Sequence, residues 1–159
     1  MTAPEIVDEA LLDRVLGQAA QSARLRRNHN FHGSVAHPCQ RLLNAVLPGA
    51  YIRPHRHLDP DKAETLAILR GRLGLVFFDE AGTVTGKVVI EAGGRCVAVN
   101  IPAGQYHGAV ALAPAVVLEA KAGPYAPHRT DEKAPFAPEE GSPEAPGYLA
   151  RLVRLFDGD

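Results

Sequence analysis

The sequence predicts an all-β fold, one small barrel or sandwich with a helical N-terminal segment and a short C-terminal helix. Across 40–121, short runs rich in Val, Ile, Leu and Phe are broken by Gly and Pro at close intervals. Strands spaced this closely are typical of barrels and sandwiches, not of β-α-β units. The chain has 159 residues, of which 46% are hydrophobic and 22% are charged, so a single globular core is expected.

The chain divides into three segments within this one domain. In residues 1–39, apolar positions recur at helical spacing over 5–22, acidic residues come early and arginines follow, as the helix dipole favours. Residues 40–121 form the predicted barrel. Residues 122–159 begin as an arm rich in Pro, Gly and acidic residues. This arm ends in a predicted short helix over 148–156, where apolar positions share one face.

Charge and hydropathy exclude several classes of partner. The formal net charge is −1, so bulk charge gives no reason to expect a nucleic-acid partner. No run approaches the roughly 20 apolar residues of a membrane helix. The N-terminal stretch carries several acidic residues and lacks the uninterrupted apolar core of a secretory signal. We therefore expect a cytoplasmic protein without a membrane partner.

The pair His55 and His57 is the strongest chemical signal in the sequence. Side chains alternate between the two faces of a strand, so His-x-His places both imidazoles on one face, where they suit a divalent first-row metal. Glu64 opens an apolar run, and His107 closes a run that contains a Pro-Gly turn. Strands are expected near 51–57, 64–70, 96–101 and 107–112. If these strands are neighbours, three imidazoles and one carboxylate converge on one ion.

Two spacings resemble the motifs of the cupin superfamily. The first is Gly49-x5-His55-x-His57-x6-Glu64-x6-Gly71, and the second is Gly94-x7-Pro102-x-Gly104-x2-His107. More narrowly, several stretches resemble the WbuC-type cupin-fold metalloproteins: Gln-Arg-Leu-Leu-Asn-Ala (40–45), Tyr-Ile-Arg-Pro-His-Arg-His (51–57), Leu-Arg-Gly (69–71), Phe-Asp (78–79) and Lys-Ala-Gly-Pro-Tyr (121–125). The resemblance covers most of the chain. It implies a single double-stranded β-helix, or jelly-roll, barrel with one metal site, and a homodimer.

The resemblance leaves three function classes open. The WbuC-type family tends to occur with bacterial polysaccharide and O-antigen genes, which implies a metal-dependent enzyme acting on a small carbohydrate or sugar-derived molecule. Three histidines and a glutamate also resemble the ligands of an Fe(II) dioxygenase. The third class is a non-catalytic metal-dependent binding or regulatory cupin. The mixed nitrogen and oxygen ligands admit one divalent Zn, Fe, Mn, Ni or Co ion and do not choose among them.

Four further residues are candidates for binding a small-molecule ligand. Tyr51 and Arg53 share strand parity with the histidine pair, and Gln105 shares it with His107. We expect Arg53 to orient an anionic group, such as the carboxylate of citrate or of a sugar acid, at a metal that keeps one or two open positions. The alternative is a surface arginine at the rim of the barrel. Lys121 shares a face with Glu119 on the last strand. That pair is either part of the pocket or a solvent-facing ion pair.

Overall fold

Two antiparallel sheets face each other and enclose the main core in the computed structural model, which describes residues 3–159. Residues 1 and 2, the start of the predicted N-terminal segment, lie outside the described residues. The helices and strands are, in chain order, α1 (Glu9–Ala20), β1 (Arg26–Asn30), β2 (Cys39–Val46), β3 (Glu64–Arg70), β4 (Arg72–Phe78), β5 (Val84–Glu91), β6 (Ala98–Ile101), β7 (Tyr106–Ala111), β8 (Ala115–Ala122) and α2 (Ala145–Arg154).

The larger sheet has the strand order β1-β2-β8-β3-β6, and the smaller sheet has the order β5-β4-β7. Every strand pair is antiparallel. Neighbours such as β8 and β3 are distant in sequence, so the chain crosses between the sheets as a jelly roll does. The predicted all-β jelly-roll barrel with helical ends is confirmed. Within residues 3–159, neither helix is long and apolar enough to cross a membrane.

Side-chain alternation divides the molecule into layers. On β8, Val117 points into the main core between the sheets, whereas its neighbour Val116 points to the outer face of the larger sheet. There Val116 packs with Leu11 and Val15 of α1. The C-terminal arm and α2 cover the outer face of the smaller sheet. Both sheets are therefore covered on their outer faces, and the open end of the barrel is left for a cavity.

The ends of both helices differ from the predicted bounds for reasons visible in the caps. The first helix begins at Glu9, not at residue 5, because the Asp8 carboxylate accepts the backbone N–H of Leu11 at 2.9 Å and caps the helix there. The second helix begins at Ala145, earlier than the predicted 148, with Pro146 in its first turn. Proline suits that turn because its missing N–H would have no partner inside the helix.

The stretch 51–57 is extended but is not a regular strand. Its one bridged residue is His55, which pairs with His107 on one side and Lys133 on the other. Pro54 has no N–H to donate, and its fixed φ interrupts a regular ladder. The strict two-residue alternation predicted for this stretch therefore does not hold along its whole length.

The turn between β3 and β4 requires glycine. Gly71 has a φ of 77°, in the left-handed region that L-residues disfavour. A Cβ at this position would also lie 1.9 Å from the carbonyl oxygen of Pro114. The turn links the two sheets directly, so its geometry sets how they face each other.

We expect Gly71→Ala to lower the free energy of unfolding by about 2–4 kcal/mol, because it combines left-handed strain with a backbone clash. Gly17→Ala is the matched control, since Gly17 lies in α1 with no atom within 4 Å of the added Cβ. That substitution should be neutral or stabilise by up to about 1 kcal/mol. Urea unfolding of both variants measures the difference, and equal stabilities would contradict the assigned turn.

Candidate metal centre

The four predicted ligands come together at the open end of the barrel. Glu64 is the first residue of β3 and His107 is the second residue of β7, one in each sheet. The backbones of His55 and His107 exchange two hydrogen bonds, of 3.0 and 2.9 Å, which ties the extended stretch to β7. His57 is held similarly, since its carbonyl oxygen accepts the N–H of Gly104 at 2.7 Å. Backbone pairing therefore places each side chain.

Glu64 is at the centre of the group. Its Oε2 lies 3.1 Å from His57 Nε2, and its Oε1 lies 3.1 Å from His107 Nε2. The ring centroids of His55 and His107 are 4.6 Å apart, and those of His55 and His57 are 5.3 Å apart. The ligand atoms of His57, Glu64 and His107 all lie within 4.8 Å of one another. This spacing allows one ion to contact them after small side-chain shifts.

Two of the imidazoles are held in a tautomer that suits metal binding. His55 Nδ1–H donates to the carbonyl oxygen of Arg53 at 3.1 Å, and His107 Nδ1–H donates to that of Gln105 at 2.9 Å. In both cases the acceptor lies two residues earlier in the chain. A histidine that donates from Nδ1 presents the lone pair of Nε2, as metal-bound histidines commonly do.

The Glu64 carboxylate is buried but ionised. Its residue is only 5% exposed, and burial alone would raise its pKa. Contacts from His107 and His57 and the charge of Lys121 outweigh burial and hold the pKa of Glu64 well below its usual range. A buried negative charge of this kind is stable only beside compensating positive groups or a cation.

The imidazoles respond to this environment in different ways. Burial, reinforced by the neighbouring His107 and His128, lowers the pKa of His55 well below its usual value, so its ring is neutral at pH 7. Burial also disfavours the charged form of His107, but Glu64 more than offsets this and raises the pKa of His107. A divalent ion bound at Glu64 would compete with the His107 proton, because a metal ligand must be deprotonated.

The buried Nε2 atom of His107 is better placed to bind a metal than to form a hydrogen bond. Although His107 Nε2 lies 3.1 Å from Glu64 Oε1, the contact lacks the alignment of a hydrogen bond, and this buried nitrogen has no other partner among the described residues. An unpaired buried polar atom is costly in a folded protein. With three imidazoles and one carboxylate as donors, the residues present fit a divalent transition metal.

His128 also lies beside the group, although sequence analysis gave it no role. It stacks on His55 with ring centroids 4.1 Å apart and an interplanar angle of 25°, and its centroid is 5.3 Å from that of His57. Burial, aided by His57 and Lys121, lowers its pKa to about 4. His128 lies in the irregular arm, where no strand or helix periodicity indicates which residues face the barrel. The sequence therefore carried no signal for it.

A cavity of about 490 Å³ opens beside the histidines. This volume lies within the usual range for small-molecule sites. The cavity has an apolar inner wall that includes Leu66, Leu73 and Leu75 from the main core. Polar residues line much of the rest: Ser22, Arg24, Arg26, Arg27, Asn28, Asn44, Glu64, Glu119, Lys121 and Tyr125, together with His55, His107 and His128.

Lys121 lies in this cavity, whereas Arg53 lies next to it. Lys121 Nζ is 3.5 Å from Glu64 Oε2 and also pairs with Glu119, so the pair on β8 lies inside the pocket. Arg53 lines an adjoining cavity of about 410 Å³, which shares His55 and other residues with the first. Its guanidinium donates to the carbonyl oxygen of Ala134 at 3.0 Å and to Glu139 at 3.1 Å.

The structure places the other two candidate ligand-binding residues elsewhere. The Tyr51 hydroxyl donates to the carbonyl oxygen of Pro138 at 2.8 Å, and its ring packs edge-on against Tyr148 beneath the arm. Gln105 donates to the carbonyl oxygens of Phe78 and Tyr106, both at 2.9 Å. Neither side chain lines the cavity beside the histidines. Strand parity did not predict their positions because both residues lie outside regular strands.

Comparisons with known proteins agree with this fold. The model of the family described as "Domain of unknown function (DUF6016)" matches residues 7–90. No curated protein is similar to the chain in sequence. SPY1581 of Streptococcus pyogenes is 12% identical, with 79% of this chain and 93% of that chain covered and a TM-score of 0.53. TT1209 of Thermus thermophilus is 21% identical, with 75% and 97% covered and a TM-score of 0.53.

A third solved structure carries the cupin name. It is a cupin superfamily protein from Desulfitobacterium hafniense DCB-2, 14% identical, with 61% of this chain and 76% of that chain covered and a TM-score of 0.48. At such low identities, the two structures with TM-scores of 0.53 share the fold with this chain, and the likeness says nothing of activity.

Glu132 holds the C-terminal arm against the site, and a testable prediction follows from its contacts. The Glu132 carboxylate, only 8% exposed as a residue, accepts the backbone N–H of Leu58 at 3.0 Å and that of Arg129 at 2.9 Å. Burial would raise the pKa of Glu132, but these donors outweigh it and lower the pKa below its usual 4.5. Because the folded pKa is depressed, the stabilisation is present above pH 4.5 and is lost as the pH falls through the folded value.

Glu132→Gln should therefore lower the free energy of unfolding by about 1–3 kcal/mol at pH 7 in metal-free protein. The difference from the parent should shrink as the pH falls from 4.5 through the depressed folded pKa, because the carboxylate becomes protonated first in the unfolded chain and then in the folded protein. Urea unfolding in EDTA across this pH range measures it, with Glu139→Gln as the control because that arm carboxylate is 81% exposed. If the difference in the free energy of unfolding stays constant down to the lowest pH at which the protein is folded, the ionised carboxylate does not have this role.

Proposed function

The chain belongs to the DUF6016 family, and we propose that it is a WbuC-type cupin metalloprotein acting on a small carbohydrate or sugar-derived molecule in polysaccharide (O-antigen) metabolism. In this proposal one divalent transition metal is held by His55, His57, Glu64 and His107. The main support is a cluster of three imidazoles beside a cavity, two of them 3.1 Å from the buried Glu64 carboxylate. The link to polysaccharides rests on the sequence resemblance.

A metal in this site would supply Lewis acidity, polarising a carbonyl or hydroxyl oxygen of the ligand. The chain's own residues would then bind and orient that ligand. Lys121 Nζ, which lies beside Glu64 and Glu119, can donate a hydrogen bond to a ligand oxygen. Glu119, which is 7% exposed, can accept a hydrogen bond from a ligand hydroxyl. This pair therefore offers a donor and an acceptor on one wall of the cavity.

The wall of the cavity suits a hydroxyl-rich molecule. Asn44 lines it from β2, and its Oδ1 is buried with no hydrogen-bond partner among the described residues. A hydroxyl of a bound ligand can satisfy such an acceptor. Asn28 and Arg26 lie on the neighbouring strand β1 and also line the cavity. Amide and guanidinium groups together can bind several hydroxyls and an anionic group of one small molecule.

Metal analysis tests the first part of the proposal. Protein purified without a histidine tag should contain about one equivalent of divalent metal, because four protein ligands preorganise one site. His55→Ala and His107→Ala should lose it while circular dichroism shows an intact fold. His29→Ala is the control, since that imidazole pairs with Glu5 instead of lying beside Glu64. Full occupancy in both ligand variants would remove these residues from the metal site.

Metal identity and turnover separate the proposed enzyme from the alternatives. Oxygen consumption that requires Fe(II) would favour a dioxygenase. Metal binding without turnover of any sugar-derived substrate would favour a binding or regulatory role. A deletion strain with altered polysaccharide or sugar-nucleotide pools would support the proposed pathway, and unchanged pools would contradict it.

A second measurement concerns the anionic group of the ligand. Arg53 lies in the adjoining cavity beside His55, and its Nε is buried without a hydrogen-bond partner among the described residues. Arg53→Ala should weaken the binding of a sugar acid to the metal-loaded protein by about 1.5–3 kcal/mol, if the contact is charge-assisted. Titration calorimetry with gluconate measures this. Arg41→Ala, on an exposed position of β2, is the matched control, and equal affinities in the two variants would remove Arg53 from the ligand site.

A further inference from the structure

We infer that His128, carried by the C-terminal arm, is a fifth protein ligand of the same metal ion. This inference rests on the proposed metal site and adds to it a residue from outside the barrel. The ligand atoms of His55, His57 and His128 all lie within 4.8 Å of one another. Metal–nitrogen bonds of about 2.0–2.1 Å bring two ligand nitrogens to roughly 3–4 Å of each other, so only small shifts are needed.

Two groups of three ligands therefore share His57. One consists of His57, Glu64 and His107, and the other of His55, His57 and His128. A neutral imidazole has one free nitrogen lone pair and so binds one ion. The two groups therefore either compete for His57 or surround one ion together. The His55 and His107 backbones are hydrogen-bonded to each other and their rings are 4.6 Å apart. This contact joins the two groups and favours one shared ion.

The arm is held in place by contacts to the stretch that carries the histidine pair. The backbone N–H of Arg56 donates to the Glu132 carbonyl oxygen at 2.8 Å, and that of Ala134 donates to the Pro54 carbonyl oxygen at 3.0 Å. The Glu132 carboxylate also accepts the N–H of Leu58. These bonds lie on both sides of His55 and His57 in sequence. The segment just after His128 is therefore paired with the ligand-bearing stretch and is not a loose tail.

The His128 ring has no competing protein partner. No described residue makes a hydrogen bond to either of its nitrogens, and its ring stacks on His55 and approaches His57. An imidazole held against two candidate ligands, with its nitrogens free, is placed to coordinate. Five protein ligands would leave a six-coordinate ion one position for an external oxygen. Binding of the metal would also stabilise the arm against local opening, because one of its side chains would be a ligand.

X-ray absorption of the zinc-loaded parent tests this directly by counting coordinated imidazoles. We expect four in the parent and three in His128→Ala. Zinc affinity, measured by competition with a chelator, should fall about tenfold or more in the variant. Zinc should also protect the arm of the parent from trypsin, which can cleave after Arg129 and Lys133, and this protection should be lost in His128→Ala. Arg129→Ala is the matched control for zinc affinity, since its exposed side chain pairs with Asp131. Because it removes one trypsin site, its zinc-dependent protection is compared at Lys133.

The outcomes separate this inference from the metal site itself. If the parent binds zinc through three imidazoles and His128→Ala keeps the same affinity, His128 is not a ligand and the four-ligand site stands. A parent that binds no metal overturns both. Should His128→Ala fail to fold, the imidazole count of the parent alone decides between four and three. His128→Asn, closer in shape, then provides the affinity measurement.

Discussion

The ionised carboxylate of Glu64 is the constraint on which the site depends. It is buried at the first position of β3, where a lone negative charge could not persist. His57 and His107 therefore lie 3.1 Å from its two oxygens, and Lys121 approaches from the neighbouring strand. Removing a partner from a buried charge pair typically costs about 3–5 kcal/mol. The charge thus couples the stability of this end of the barrel to the groups that surround it.

Backbone hydrogen bonds bring this charge and its partners together from distant parts of the sequence. Glu64 and Lys121 are paired across β3 and β8, while His55 and His107 are paired between the extended stretch and β7. These bonds belong to both sheets, so the barrel backbone holds the ligand positions. A site built in this way needs little reorganisation when an ion or a ligand binds.

Packing on the outer faces explains why the cavity lies at one end of the barrel. Helix α1 covers the larger sheet through Val15 and its neighbours, and α2 with the arm covers the smaller sheet. Phe156 reaches the smaller sheet because Gly74 has no Cβ, which would lie 2.6 Å from its ring. With both outer faces occupied by apolar contacts, polar side chains gather at the open end. The arm that covers the smaller sheet also carries His128 to the histidines.

The sequence by itself determined the fold class, the strand over 64–70 and the four residues that the structure brings together, because hydrophobic alternation and Gly-Pro turns are local signals. Tertiary structure alone decided the rest. It directed Tyr51 toward the arm, since the extended stretch around Pro54 is not a regular strand with strict alternation. It also placed His128 on His55. The sequence of an irregular segment has no helix or strand periodicity. Only its long-range hydrogen bonds to the barrel determine which of its side chains lies at the site.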